Sequence, residues 1–209
     1  MIQFLDMEKE ADLVLRFINK VLHRSMRAGP VIAGLAFCLF MLVTPVVSYP
    51  ENPQIQEYEV KAAFLFNFAR LTEWPPNAFA SPQSNFVICI LGGDPFEGNL
   101  EPLMNRTIGG RKVVVKRISN INESIACNLL FIASSEKRRL PEIIAHVRNR
   151  PILTVSDMDG FTEEGGMIAF IIKEGRVKFR INLDAAGMTK LNISSYLLEV
   201  AEIVRGKRI

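Results

Sequence analysis

The sequence predicts an α/β protein, a layered sandwich with a mostly parallel sheet plus a C-terminal antiparallel hairpin. Between residues 86 and 155, short apolar runs of strand length alternate with helical segments, an order typical of parallel strands joined by helices. Past Gly160 the pattern changes, because two runs with strand character, 167–172 and 177–183, are separated by only four residues. The alternation predicts the parallel sheet, and the short separation predicts the hairpin.

An apolar run from Val31 to Val47 divides the chain into two parts. Arginine and lysine residues precede it and Ser48-Tyr49-Pro50 follows it, a layout typical of a secretory signal peptide that is cleaved after Ser48. Residues 1–48 are therefore predicted to be an N-terminal extension and signal peptide. Residues 49–209 are predicted to form one exported domain.

The length of the extension leaves two alternatives open. Thirty residues precede the apolar run, more than in a conventional signal peptide, whereas a start at Met26 would give the usual short charged region. The other alternative is an uncleaved membrane anchor, for which the seventeen residues of the run are short. Under each of these hypotheses the bulk of the chain lies outside the cytoplasm.

Charge excludes some classes of partner. Residues 49–209 hold 20 Lys and Arg against 18 Asp and Glu, a net charge of +2. Such a balance gives no field that would favour nucleic acid or an anionic membrane surface, so we predict neither as a partner, nor membrane insertion after cleavage. The 161 residues fit one domain with a sizeable core.

The first predicted element of the domain is a helix over Gln54–Leu71. Val60, Phe64 and Phe68 form one apolar stripe along it, and further apolar residues occupy the opposite side. A helix that is apolar nearly all round needs cover on both sides, which makes a homodimer one expectation. Trp74-Pro75-Pro76 then breaks the helix, because proline cannot continue it.

The parallel sheet is predicted from four short apolar runs with helices between them. Asp94 followed by Pro95 has the composition of a helix start. In chain order, the predicted elements are strand Phe86–Leu91, helix Asp94–Met104, strand Val113–Ile118, short helix Asn120–Ala126, strand Leu129–Ala133, helix Ser135–Asn149 and strand Ile152–Val155.

The hairpin is predicted from Met167–Ile172 and Val177–Leu183, which flank Lys173-Glu174-Gly175-Arg176. Apolar and polar residues alternate along the second arm, so that one face is buried and Arg180 and Asn182 lie on the outer face. A short segment and a helix from Ser194 close the domain.

Two cysteines remain after signal cleavage, Cys89 and Cys127. An even number in an exported chain favours a disulfide. If the two lie on neighbouring strands, their sulfur atoms approach to bonding distance. The alternative is two separate buried thiols, since free cysteine is itself a common core residue.

The inventory of reactive residues disfavours catalysis. The exported domain has a single histidine, His146, and contains neither a G-x-S-x-G elbow nor a P-loop. We therefore predict no cofactor and no metal, and a hydrolase centred on His146 is the weakest alternative. The acidic loop with Asp157, Asp159, Glu163 and Glu164 is a solvated turn or a hard-cation site, and we favour the turn.

One turn is a candidate ligand-binding site. Gly92 and Gly93 follow a predicted strand directly, and at such a position the free main-chain N–H groups of α/β proteins often bind ligands. This turn supports an alternative function, a periplasmic small-ligand receptor that reports to a membrane sensor kinase. The competing interpretation is an ordinary capped turn.

Several segments together resemble the YfiR-like family of exported bacterial proteins. The similarity covers about residues 55–205, and the order and spacing of the segments make it specific. The segments are Lys61-Ala-Ala-Phe-Leu-Phe-Asn-Phe68 with Trp74-Pro75, the strand and Gly-Gly-Asp-Pro at 86–95, Gly166-Met-Ile-Ala-Phe170, Val177-Lys-Phe-Arg-Ile-Asn-Leu183 and Ile193-Ser-Ser-Tyr-Leu-Leu198.

The resemblance implies a periplasmic regulator that represses an inner-membrane diguanylate cyclase by binding its periplasmic sensor domain. It also implies that Cys89 and Cys127 are a family cysteine pair, one of two in the founding member; the second pair is absent here. The family usually has an acidic residue where Arg180 stands, which implies either a partner with a matching charge change or a different partner altogether.

Four residues are predicted to contact the partner. Phe66 and Trp74 would be its apolar anchors, and Arg180 and Asn182 would contact it from the outer face of the hairpin. The alternative for Trp74 is core packing under the first helix.

Overall fold

The computed structural model describes residues 53–205, so the predicted extension and signal peptide lie outside the described residues. The helices are α1 (Pro53–Arg70), α2 (Leu140–Val147), α3 (Leu183–Met188) and α4 (Ser195–Val200), and short 3₁₀ helices cover Pro76–Ala78, Glu101–Asn105, Ile121–Ala126 and Ser134–Arg139. The strands are β1 (Thr72–Glu73), β2 (Phe86–Leu91), β3 (Thr107–Ile108), β4 (Arg111–Ile118), β5 (Leu129–Ile132), β6 (Leu153–Ser156), β7 (Ile168–Lys173), β8 (Arg176–Asn182), β9 (Asn192–Ile193) and β10 (Glu202–Val204).

Eight of these strands form one sheet in the order β10-β8-β7-β6-β5-β2-β4-β3. Its pairs are parallel, except for the antiparallel pairs β7–β8 and β3–β4. The short strands β1 and β9 form a separate antiparallel ribbon. The predicted fold class, a mostly parallel sheet with a C-terminal antiparallel hairpin, is confirmed.

Both faces of the sheet are buried, as alternation along β2 shows. Phe86, Ile88 and Ile90 belong to the core beneath α1, whereas Cys89 and Leu91 belong to the core beneath α2. Successive side chains of a strand point to opposite faces, so a strand that is buried on both faces reads as a continuous apolar run. The molecule is therefore a three-layer sandwich with helices on both sides of the sheet.

Helix α1 covers β7 and β8 with aromatic side chains. The rings of Phe64 and Phe68 lie 5.4 and 4.8 Å from the ring of Phe179, centroid to centroid, and both also contact Phe170. The predicted helix is confirmed, with bounds that differ by one residue at each end. Its own domain covers much of this apolar helix, and the homodimer stays a prediction.

The turn of the hairpin has the geometry that its sequence predicts. Glu174 and Gly175 connect β7 to β8 with φ angles of +54° and +69°. Two consecutive left-handed residues twist a two-residue connection to match the strands, and glycine adopts this conformation without steric cost.

The helix predicted over Asp94–Met104 is wrong. The Asp94 carboxylate accepts the main-chain N–H of Phe96 at 2.8 Å, as a cap would, but the chain then turns irregularly. Glu97 and Gly98 have φ angles of +47° and +104°, which are incompatible with a right-handed helix. Only the 3₁₀ helix Glu101–Asn105 follows.

Candidate partner-binding surface and its supports

The predicted disulfide between Cys89 and Cys127 is present in the structure. Their Cα atoms are 5.8 Å apart, because Cys89 lies on β2 and Cys127 stands two residues before the neighbouring strand β5. Both side chains are buried in the core beneath α2. The bridge therefore ties the sheet to the end of the 3₁₀ helix Ile121–Ala126.

Asn128, the residue after Cys127, connects three parts of the fold. Its side-chain oxygen accepts the main-chain N–H of Val87, and its side-chain amide donates to the Ala78 carbonyl, each at 2.9 Å. Its own carbonyl accepts the N–H of Leu153 at 2.8 Å. The role of Asn128 was not predicted from the sequence. The only local indication of it was a polar amide side chain directly before an apolar strand.

Trp74, predicted as an exposed anchor, packs against its own domain. Its indole N–H donates to the Ala69 carbonyl at 3.0 Å, and its ring meets the Phe86 ring edge-on with centroids 5.0 Å apart. Phe66 is also partly buried, and the Arg106 guanidinium lies 5.2 Å from the centre of its ring. Both rings are thus already engaged within the domain.

The prediction that Asn182 lies on the outer face of the hairpin is wrong, because its side chain is only 1% exposed. Its amide donates to the Thr162 carbonyl at 2.8 Å, and its oxygen accepts the N–H of Ala185 at 3.1 Å. The second bond caps α3. The alternation of the hairpin ends here, since the chain leaves β8 and enters a helix that covers this position.

Arg180 does lie on the outer side, where it is half exposed and paired with acidic side chains. Its Nε atom lies 3.2 Å from a carboxylate oxygen of Glu202, and its Nη1 atom lies 4.0 Å from Glu163. Lys173 binds the same Glu202 carboxylate at 2.6 Å. Because Glu202 belongs to β10, these pairs fasten the last strand to the hairpin.

The glycine turn at Gly92 and Gly93 is closed by a neighbouring loop. The N–H of Gly93 donates to the Ser135 hydroxyl at 3.0 Å, and the N–H of Gly92 donates to the Ile118 carbonyl at 3.3 Å. A side chain at Gly92 would meet Ser135 and Glu136. A groove of about 570 Å³ lies elsewhere, between α2 and α3, and neither glycine lines it. The geometry gives the ligand-receptor alternative no support.

A buried ion pair joins α1 to the acidic loop that follows β6. Lys61 is only 3% exposed, and its ammonium group lies 2.7 Å from the Asp157 carboxylate and 2.6 Å from Glu57. The Tyr58 hydroxyl donates to the same Asp157 oxygen at 2.8 Å. Within residues 53–205, no cluster of three or more acidic, histidine or cysteine side chains is arranged to hold a metal ion.

Burial, and then the hydrogen bond to the Asp157 carboxylate, raise the pKa of Tyr58 well above its ordinary value of 10. The phenol therefore keeps its proton at physiological pH and acts as a donor. Sequence reasoning missed this cluster, although a lysine on a largely apolar helix was the available signal.

His146 lies in the last turn of α2, and its side chain makes no hydrogen bond within the described residues. Its Nε2 atom is buried without a partner. A serine nucleophile and an orienting carboxylate would have to contact the ring in a catalytic triad. The geometry therefore gives the hydrolase alternative no support.

Three exposed apolar side chains form what we call the C-terminal apolar surface. Tyr196 and Val200, one helical turn apart on the same side of α4, are 72% and 67% exposed, and Ile203 of β10 is 43% exposed. Leu197 packs the other side of α4 into the core beneath α1. Contiguous exposed apolar patches are common at interaction sites, which makes these three side chains candidates for contact with a partner. The sequence predicts the helix but not this surface.

No helix within the described residues is long and apolar enough to cross a membrane. Residues 58–202 match the model of the YfiR/HmsC-like family. A solved ABC domain from Streptococcus pneumoniae in complex with L-Trp matches at 14% identity and a TM-score of 0.44, over 74% of this chain and 61% of that one. The chain thus spans about three fifths of that solved chain, and at this score the likeness supports no conclusion about function.

Proposed function

Because the chain belongs to the YfiR/HmsC-like family, whose members are periplasmic regulators of cyclic di-GMP signalling, we propose that it binds and represses the sensor domain of an inner-membrane diguanylate cyclase. The observation that carries this proposal is the family match, which extends over residues 58–202. It therefore includes nearly all of the described domain.

The mechanism requires only differential binding. The exported domain binds the inactive conformation of the cyclase more tightly than the active one, and so shifts the population toward the inactive form. A ligand moves such an equilibrium only by the difference in its two affinities. Release of the domain then raises cytoplasmic cyclic di-GMP, although the domain and the nucleotide occupy different compartments.

The C-terminal apolar surface supplies the contact area in this proposal. Tyr196 can provide the large, partly polar ring that is common in binding hot spots, and Val200 extends the surface by one helical turn. Trp74 contributes through packing, since its ring already contacts its own domain, and Phe66, whose ring contacts Arg106, stays a predicted partner contact. The ribbon of β1 with β9 links the Trp74 segment to the start of α4.

A cellular assay tests the repressor function. Deletion of the gene should raise cyclic di-GMP, and the wild-type gene should restore the low level. The double variant Tyr196→Asp with Val200→Asp should be exported and folded but should fail to repress, because two charges replace the apolar contact. Ile125→Asp is the matched control, since Ile125 is 63% exposed but lies on the 3₁₀ helix Ile121–Ala126.

A binding assay with purified components separates repression from an indirect effect. The periplasmic domain of the host's inner-membrane cyclase should form a complex with this chain without any added metabolite. Unchanged cyclic di-GMP after deletion, together with no complex for any cyclase domain of the host, would falsify the proposal.

Export is part of the same proposal. We expect the mature protein in the periplasmic fraction, with Tyr49 as its first residue after cleavage behind Ser48. N-terminal sequencing of the fractionated protein checks the cleavage site. An intact leader in the membrane fraction would instead indicate an anchor.

A further inference from the structure

The strand β10 is an edge of the large sheet with an open outer side. It pairs in parallel with β8 through Glu202, Ile203 and Val204. Within the described residues no strand pairs with its other side. An edge of this kind presents unpaired main-chain groups to which an added strand can bind.

The hydrogen bonds of the hairpin show which residue of β10 faces outward. The N–H of Asn182 donates to the Met167 carbonyl at 2.8 Å, so Asn182 directs its main-chain groups toward the β7 side. Main-chain direction alternates along a strand, and Ile181 therefore directs its groups toward β10. In a parallel pair, the main-chain groups of Ile181 bond to the two neighbours of its partner Ile203, which are Glu202 and Val204. The N–H and carbonyl of Ile203 then point away from the sheet.

Ion pairs hold this edge in place. The Glu202 carboxylate accepts hydrogen bonds from Lys173 Nζ at 2.6 Å and from Arg180 Nε at 3.2 Å. The hydrogen bond from Lys173 and, to a smaller extent, the one from Arg180 hold the pKa of the Glu202 carboxyl below its usual range. A strand fixed in this way loses little additional entropy when a partner binds, which favours affinity.

The two faces of β10 differ in chemistry. Ile203 pairs with Ile181, which belongs to the core beneath α1, so the exposed side chain of Ile203 lies on the face of the sheet against which α4 packs through Leu197. Glu202 pairs with Arg180, and their side chains lie on the opposite face of the sheet. Lys178 lies two residues before Arg180 on β8, so its side chain is on this face as well. Lys178 has no ion-pair partner within residues 53–205. One face thus favours an apolar side chain and the other an acidic one.

The other end of the sheet lacks these features. There, β3 pairs with the start of β4, and the Val113 N–H donates to the Arg106 carbonyl at 3.1 Å. Beyond this pairing, β4 continues from Val113 to Ile118 and includes the charged residues Lys116 and Arg117, and charged residues of this kind discourage strand addition.

We propose that β10 receives an additional strand from the partner protein, an extended segment that alternates apolar and acidic residues. Its apolar side chains contact the C-terminal apolar surface, its acidic side chains contact Lys178, and its main chain bonds to Ile203. This is the β-augmentation mode of recognition, in which main-chain bonds give affinity and alternate side chains give specificity. The identity of the partner as a cyclase rests on the proposed function, whereas the mode of binding does not.

The test uses a short peptide in which valine and glutamate alternate, added to the isotopically labelled chain. We expect saturable shifts and slower hydrogen exchange centred on the Ile203 amide. Ile203→Pro removes the outward N–H and should weaken binding at least about tenfold, whereas Ile203→Val keeps both the N–H and the branched side chain and should bind nearly as well. A peptide with lysine in place of glutamate should not bind.

A second variant keeps the test decisive if the proline variant does not fold. Lys178→Glu reverses a charge beside the edge and should weaken peptide binding about tenfold, while Lys137→Glu, on the 3₁₀ helix Ser134–Arg139, should leave it unchanged. Shifts centred away from Ile203, or equal binding by all variants, would overturn the proposal.

Two other occupants of the edge are distinguishable. Self-association that Ile203→Pro abolishes would assign the edge to a second copy of the chain, and flotation with anionic vesicles that Lys178→Glu abolishes would assign it to a lipid surface. Either result, without peptide binding, overturns strand addition. Peptide binding at Ile203 with no effect of the chain on any cyclase overturns only the proposed function.

Discussion

The side-chain amide of Asn128 donates a 2.9 Å hydrogen bond to the carbonyl of Ala78, which lies fifty residues earlier in the chain. Asn128 follows the disulfide-bonded Cys127 directly, and Ala78 closes the short 3₁₀ helix that follows Trp74. The bond therefore connects the bridged region of the sheet to the aromatic segment beside β1. In turn, β1 pairs with β9, which precedes α4 in the chain.

Replacement of Asn128 by Ala should lower the free energy of unfolding by about 1–3 kcal/mol, because the Val87 N–H loses its acceptor in a buried setting. The emission of Trp74, the only tryptophan of the chain, should change in the folded state. Fluorescence and urea denaturation measure the two effects. Ser156→Ala is the control, since its buried hydroxyl bonds to the Ile132 carbonyl at the opposite end of β5. It should lower stability without changing the emission, and the same emission change in both variants would contradict the prediction.

Removal of the disulfide by a double substitution, Cys89→Ala with Cys127→Ala, should destabilise the domain by about 4 kcal/mol in the chain-entropy model. The two residues are separated by 38 positions, so the bridge restricts a long loop of the unfolded chain. Denaturation under oxidising conditions measures the loss.

Reductant provides the internal control for the bridge. It should lower the stability of the wild-type protein and leave the double variant unchanged. If alkylation labels both thiols of the exported protein before any reduction, the bridge is absent in the cell.

The main-chain architecture was accessible to sequence reasoning because its signals are local. The run Phe86–Leu91 is apolar at every position and is bounded by turn residues, so its strand has the predicted bounds. The failure at Asp94–Met104 has a conformational cause. The Asp94 side chain accepts the hydrogen bond expected of a helix cap, but the positive φ values at Glu97 and Gly98 prevent a right-handed helix, and the composition of the segment does not reveal them.

The contacts that support the candidate surface were less accessible, because they join residues far apart in the chain. Asp157 appeared to belong to a solvated loop, yet it binds Lys61, 96 residues earlier. Asn182 continued an alternating pattern, but the following helix buries it. Periodicity reports the faces of one element and carries no information about which other element covers them.

Breaking the buried pair between Lys61 and Asp157 from one side should be costly. Lys61→Met leaves the Asp157 carboxylate without its cation and should lower the free energy of unfolding by about 3–5 kcal/mol. Addition of Asp157→Asn to that variant should recover part of the loss, since the buried Asp157 charge is then removed and only the partly exposed Glu57 carboxylate remains without its cation. Urea denaturation of the two single variants and the double variant completes the cycle. Strict additivity of the two losses would contradict a direct coupling.

Gly166→Ala should destabilise the domain by overpacking. A Cβ atom at this position would overlap the ring of Phe161, which is fully buried in the core beneath α2 and has no space to move. Forced shifts in a packed core cost about 1–3 kcal/mol. Thermal denaturation measures the effect. Gly187→Ala is the control, since no heavy atom lies within 4 Å of a Cβ atom placed there, and it should not lower the melting temperature.

Tyr58 should make stability fall at alkaline pH. Burial and the Asp157 hydrogen bond raise its pKa in the folded state above the ordinary value of 10. Between that ordinary value and the raised pKa, the unfolded chain has lost the phenol proton while the folded chain retains it. The unfolded state then binds fewer protons, so the free energy of unfolding decreases as pH rises through this window. Below pH 10 the contribution is fully present.

Tyr58→Phe isolates this effect, because phenylalanine keeps the ring that packs edge-on against Phe96 but has no ionisable hydroxyl. The urea midpoint of the wild-type protein should fall more steeply between pH 9 and pH 11 than that of the variant, and the absorbance of the phenolate should develop late in the folded wild type. The variant itself should be less stable than the wild type at neutral pH, since Asp157 loses a donor. Parallel declines for the two proteins would show that the Tyr58 proton is not held by this cluster.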